Sequence, residues 1–120
     1  MATGKTLDLK DVAQRLDNFA RERDWEKFHS PKNLAMALSV EAAELLEIFQ
    51  WLNEEQSRHL SSQDLEAVRE EAADILIYLI RISDRLNIDL VDAINKKISL
   101  NAQKYPVDKA HGISKKYNRL

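Results

Sequence analysis

Glycine, proline and cysteine are scarce or missing in this chain. Its 120 residues include 2 Gly, 2 Pro and no Cys. Gly plus Pro is 4 of 120, about a quarter of the roughly 12% usual in proteins. An all-β fold needs turn residues every few positions, so that scarcity argues against one. With glycine only at positions 4 and 112, neither a GxGxxG loop nor a full P-loop can be written. Gly4-Lys5-Thr6 resembles the end of a P-loop but has no room for its first glycine, and reads as a solvated N-terminus. The missing cysteine rules out disulfides and thiolate ligands and fits a reducing compartment. Long apolar runs are absent too. The longest, Ile75 to Ile80, has six residues, far short of the ~20 of a membrane helix. No basic segment followed by an apolar one opens the chain, so no secretory signal is expected. These readings predict a soluble cytoplasmic protein of one domain, residues 1–120, with no membrane partner. A pI near 5.9 does not suggest a nucleic-acid binder.

What is present is helical periodicity. Leu9, Val12, Leu16, Phe19 and Ala20 form one stripe on a predicted helix from about Leu7 to Trp25, with Asp8 as its N-cap. Ser30-Pro31 starts a second predicted helix, running to about Asn53. That helix is apolar almost all round, as a helix central to a bundle or shared between subunits would be. Asn53 to Ser62 reads as a loop. Ser61 or Ser62 caps a third helix through about Leu86, which Asn87 stops. Asp89 caps a fourth, ending near Tyr105-Pro106. The basic tail, residues 106–120, shows little periodicity. The fold class is therefore all-α, a four-helix bundle.

Carboxylates interrupt the apolar faces of the second and third helices. Glu41 and Glu44 are three apart and share a face with Leu34, Leu38, Leu45 and Ile48; Glu71 and Asp74 repeat the spacing among Val68, Ile75 and Tyr78. Unpaired buried carboxylates are costly, and four together repel. Residues 41–74 hold ten acids and only two bases, Arg58 and Arg69. A divalent cation is one solution, an ion-pair network the other. Carboxylate oxygens suit Mg²⁺, with Mn²⁺ or Ca²⁺ as substitutes. A di-iron site wants two Glu-x-x-His pairs, and the chain has one, Glu26-x-x-His29. Without Cys or a His-Glu-x-x-His run, a zinc hydrolase is disfavoured.

Glu41-x-x-Glu44, then 26 residues, then Glu71-x-x-Asp74 resembles the signature of the MazG-like all-α nucleoside triphosphate pyrophosphohydrolases. Residues 22–29 (Glu-Arg-Asp-Trp-Glu-Lys-Phe-His), 47–51 (Glu-Ile-Phe-Gln-Trp), 74–79, 101–106 (Asn-Ala-Gln-Lys-Tyr-Pro) and 114–117 resemble the dCTP pyrophosphatase branch of that family. The resemblance covers nearly the whole chain. It implies a Mg²⁺-dependent enzyme that cleaves a deoxynucleoside triphosphate to the monophosphate and pyrophosphate. It also implies a homo-oligomer, commonly a tetramer, and a house-cleaning role on dCTP or modified dCTP. Glu41, Glu44, Glu71 and Asp74 carry over as catalytic metal ligands. Trp25, His29, Trp51 and Tyr78 carry over as substrate-pocket residues, with flat faces suited to a base. Lys97 and Asn101 carry over as contacts to phosphate or sugar oxygens; Lys104 shares their helix face. Glu47 reads as solvated. The branch often has Glu-Val-Gly-Glu where this chain has Glu41-Ala42-Ala43-Glu44, and Ala is the mildest helical replacement for Gly. The alternatives are the same chemistry on dUTP or other noncanonical triphosphates, or a non-catalytic helical interaction module.

The net charge of −2 hides a division. Residues 41–74 sum to −8, while residues 96–120, with seven bases and one acid, sum to +6. Without glycine loops, a triphosphate would have to be held by metal and side chains.

Overall fold

The structure is a computed structural model and describes residues 5–120. Gly4, and with it the resemblance to a P-loop end, lies outside the described residues; Lys5 and Thr6 are exposed. Among the described residues, six α-helices form in chain order: α1 (Leu9–Glu22), α2 (Pro31–Phe49), α3 (Glu54–Arg58), α4 (Ser62–Arg85), α5 (Leu90–Lys104) and α6 (Val107–Ala110). Single 3₁₀ turns occupy Glu26–Phe28 and Tyr117–Arg119, and no strand occurs among the described residues. The all-α expectation is met.

The predicted helix starts hold because each has a side-chain cap. Asp8 accepts from the Asp11 N–H at 3.0 Å, Ser30 from Asn33 at 3.1 Å, Ser61 from Asp64 at 3.1 Å and Asp89 from Asp92 at 3.0 Å. The predicted ends of α4 and α5 hold as well, but those of α1 and α2 overrun. α1 stops at Glu22 rather than near Trp25, and α2 at Phe49 rather than Asn53. Asp24 (φ 54°) turns the chain out of α1 in the left-handed region. There the Trp25 N–H bonds the Ala20 carbonyl at 2.8 Å and the Asp24 N–H that of Arg21 at 3.1 Å, a Schellman motif. The segment read as a loop contains α3, started by a reciprocal capping box between Asn53 and Gln56. The tail also carries more structure than its sequence suggests, in α6 and the turn at Tyr117–Arg119.

The chain divides into two units, Met1–Asn87 and Ile88–Leu120. In the first, α4 packs chiefly against α2 and also against α1. The central helix is thus α4, not the more apolar α2. Buried side chains of this unit include Ala20 of α1, Leu34 of α2 and Ile80 of α4, with Arg81 and Ser83 of α4 beside them. Met36, Val40 and Leu46 leave part of α2 exposed, Leu46 at 62%. In the second unit, Tyr105 meets Tyr117 edge-to-face at 6.2 Å, and the Lys104 ammonium lies 4.7 Å over the Tyr117 ring. None of the described helices is long and apolar enough to cross a membrane.

Candidate active site

Helices α2 and α4 pack together and bring three of the four predicted acids close to one another. One carboxylate oxygen from each of Glu41, Glu44 and Glu71 lies within 4.8 Å of the others. Glu41 and Glu71 are half-buried and Glu44 is exposed. Glu41 Oε2 and Glu71 Oε2 are buried with no hydrogen-bond partner among the described residues. Nor does any of these three acids, or Asp74, form an ion pair there. The ion-pair alternative finds no basic partner among the described residues. An all-oxygen donor set with two orphaned buried oxygens fits a hard divalent cation. The repulsion shows on Glu71, whose pKa is pushed up to about 7. The hydrogen bond to Glu41 that Glu71 gains only when protonated contributes most, followed by burial and then the charges of Glu44 and Glu41.

Asp74 follows Glu71 by three residues on α4. It is not among the three converging carboxylates, but its charge reaches Tyr78. Burial, then the charges of Glu41 and Asp74, raise the Tyr78 pKa and keep the phenol neutral. Tyr78 is thereby tied to the acidic cluster, as its spacing from Asp74 predicts.

Trp25 and His29 sit in the connector between α1 and α2. Their rings meet edge-on at 6.3 Å, and Trp25 also meets Phe19 at 5.7 Å. The His29 ring is tied to α4: Arg81 Nε donates to His29 Nδ1 at 3.3 Å, and Arg85 Nε to the His29 carbonyl at 3.2 Å. Asp17, Arg81 and Arg85 were not singled out from the sequence. The signal was an arginine closing the apolar run 75–80, seven residues beyond Asp74.

Trp51 follows α2, just past its C-cap Gln50, and is 86% exposed. Lys97 and Asn101 are exposed on α5 in the second unit, one turn apart, and Lys104 is engaged with Tyr117. Lys115 and Lys116 line a depression of about 450 Å³ with Tyr105, Ile113 and Ser114. Glu47 is exposed as read, and Ala43 faces solvent, so no close contact depends on a glycine there.

Fold and site together define an all-α protein with a cluster of carboxylates, between two packed helices, of the kind that suits a divalent cation. The chain belongs to the MazG-like family, whose sequence model matches residues 36–120. The rat protein dCTP pyrophosphatase 1 is 41% identical over 114 residues, 93% of this chain and 67% of its own length. The human protein of that name is 40% identical with the same coverage. A pyrophosphatase from Archaeoglobus fulgidus superposes with a TM-score of 0.78 at 36% identity, covering 88% of this chain and 99% of its own.

Proposed function

We propose that this chain is a Mg²⁺-dependent nucleoside triphosphate pyrophosphohydrolase that cleaves dCTP or modified dCTP to dCMP and pyrophosphate. The observation that carries this reading is the convergence of Glu41, Glu44 and Glu71 with two buried oxygens unpartnered. The names of the mammalian relatives support the choice of dCTP. Glu41, Glu44, Glu71 and Asp74 would hold the cation, with Mn²⁺ as a substitute. When bound, it neutralises phosphate charge and acidifies water. The chain's own groups orient the rest. Tyr78, one turn beyond Asp74, offers a neutral phenol beside the acids. Trp25 and His29 offer ring faces and edges to the base, and Trp51 a further face. Lys97 and Asn101 contact phosphate or sugar oxygens. The fold uses side chains where other phosphate binders use glycine-rich backbone.

The exposed apolar residues Met36, Val40 and Leu46 of α2, and Val91, Ile94 and Ile98 of α5, support self-association, for which we propose a homotetramer. A house-cleaning role on the nucleotide pool puts the enzyme in the cytoplasm. The deciding experiment is pyrophosphate release from a panel of canonical and modified dNTPs with Mg²⁺. Release ranking dCTP or its derivatives first is expected. A dUTP-first ranking moves the base assignment, and no release from any member ends the enzymatic reading.

A further inference from the structure

Arg81 is 3% exposed, on the central helix of the first unit. A buried guanidinium is costly unless its donors are met. Arg81 Nη1 pairs with Asp17 of α1 at 3.1 Å and with Asp84 of its own helix at 3.6 Å; Nε bonds His29 Nδ1 at 3.3 Å. Nη2 is buried and has no partner among the described residues.

The His29 contact has a chemical consequence. A guanidinium only donates, so His29 Nδ1 must present its lone pair. The proton of the neutral ring then sits on Nε2. Burial, followed by the charges of Arg81 and Arg85, lowers the His29 pKa below its ordinary 6.5, in the same sense. Asp17 extends the arrangement. Its other oxygen pairs with Arg21 at 2.9 Å, and Arg21 Nε bonds Glu26 at 3.2 Å. The connector is therefore fastened at Glu26 through α1, and at His29 through Arg81 and Arg85 of α4. Trp25 directly precedes the first fastening, and its ring lies against His29.

We propose that Arg81 is a positioning residue for substrate recognition. It fixes His29 as the neutral Nε2–H tautomer, so that the ring donates one hydrogen bond to an uncharged acceptor oxygen of the nucleoside. A phosphate anion would favour an imidazolium, which burial and the charges of Arg81 and Arg85 disfavour here. The proposal rests on the reading of Trp25 and His29 as nucleoside-pocket residues. It makes Arg81 a determinant of substrate affinity, through His29, and not a group that touches the reacting phosphorus.

Two measurements test it. In long-range ¹H–¹⁵N correlation spectra at pH 7, wild-type His29 is expected to show a protonated Nε2 and an unprotonated Nδ1. The double variant Asp17→Leu with Arg81→Met replaces the buried pair by apolar groups, a change that folds tolerate. It is expected to keep its helical circular dichroism and its Mn²⁺ affinity. Its KM should rise about five- to tenfold, the worth of one neutral hydrogen bond, with kcat within about threefold of wild type. His29→Phe should show the same KM, and adding it to the double variant should raise KM no further. A purely structural pair would move the melting temperature and leave KM and the ring's tautomer alone. An Nδ1–H ring, or a folded double variant with unchanged KM, overturns the proposal while leaving the enzymatic reading intact. A wild type inactive on every dNTP overturns the enzymatic reading and the proposed donor role, and the tautomer remains readable by itself.

Discussion

Three carboxylates within 4.8 Å repel, and Glu71 shows the strain most directly, with its pKa near 7 against an ordinary 4.5. Between those values the folded protein keeps a proton that the unfolded chain has released. Stability of the metal-free protein should therefore fall as pH rises from about 4.5 to about 7, and this contribution should level off above that. Glu71→Gln removes the titration. In chelator-treated protein at pH 8 the variant should melt above wild type, and added Mn²⁺ should reverse the order. Its turnover should fall by about two orders of magnitude or more. A wild type that melts higher than the variant without metal would contradict the assignment. The four acids were legible because spacing by three on apolar helix faces is visible in one dimension. Arg81 was not, because its partners Asp17 and His29 are 64 and 52 residues away.

At the scale of the helices, the starts were legible and so were the ends of α4 and α5, whereas those of α1 and α2 were not. Ser, Asp and Pro announce an N-terminus by side-chain chemistry. A C-terminus is usually announced by glycine in the left-handed conformation, and this chain has almost none. Asp24 and Asn87 take that conformation at α1 and α4, with φ 54° and 55°. Asn87 is a familiar substitute and signals its stop in the sequence; Asp24 is a rarer one and gives no such signal. The shorter α1 leaves Trp25 in the connector with His29. Likewise α3 announced itself by Asn53 and Gln56, three apart, within a segment read only for polarity. Asp24→Val should cost about 1–2 kcal/mol, because a β-branched residue resists this backbone. Chemical denaturation checks the cost. An unchanged midpoint would show that the left-handed turn imposes no constraint.

At the scale of the molecule, the all-α class followed from composition and periodicity, but which helix is central did not. α2 is the more apolar, yet α4 carries the packing, because part of the apolar surface of α2 stays exposed. If that face joins copies of the chain, Leu46→Glu should lower the mass seen by light scattering while helical content persists. The melting temperature of wild type should then rise with protein concentration. A wild type that is monomeric at all concentrations would contradict this. The centrality of α4 also sets a phase. Glu71, Asp74, Tyr78 and Arg81 occupy one stripe of a single uninterrupted helix, so the distance and angle between the cation end and the His29 end are those of the helix itself. One residue inserted between Ile77 and Tyr78 turns everything beyond it by about 100°. Such an insertion should preserve Mn²⁺ binding at the glutamates and abolish turnover, as a key keeps its bow when its teeth are rotated out of the lock.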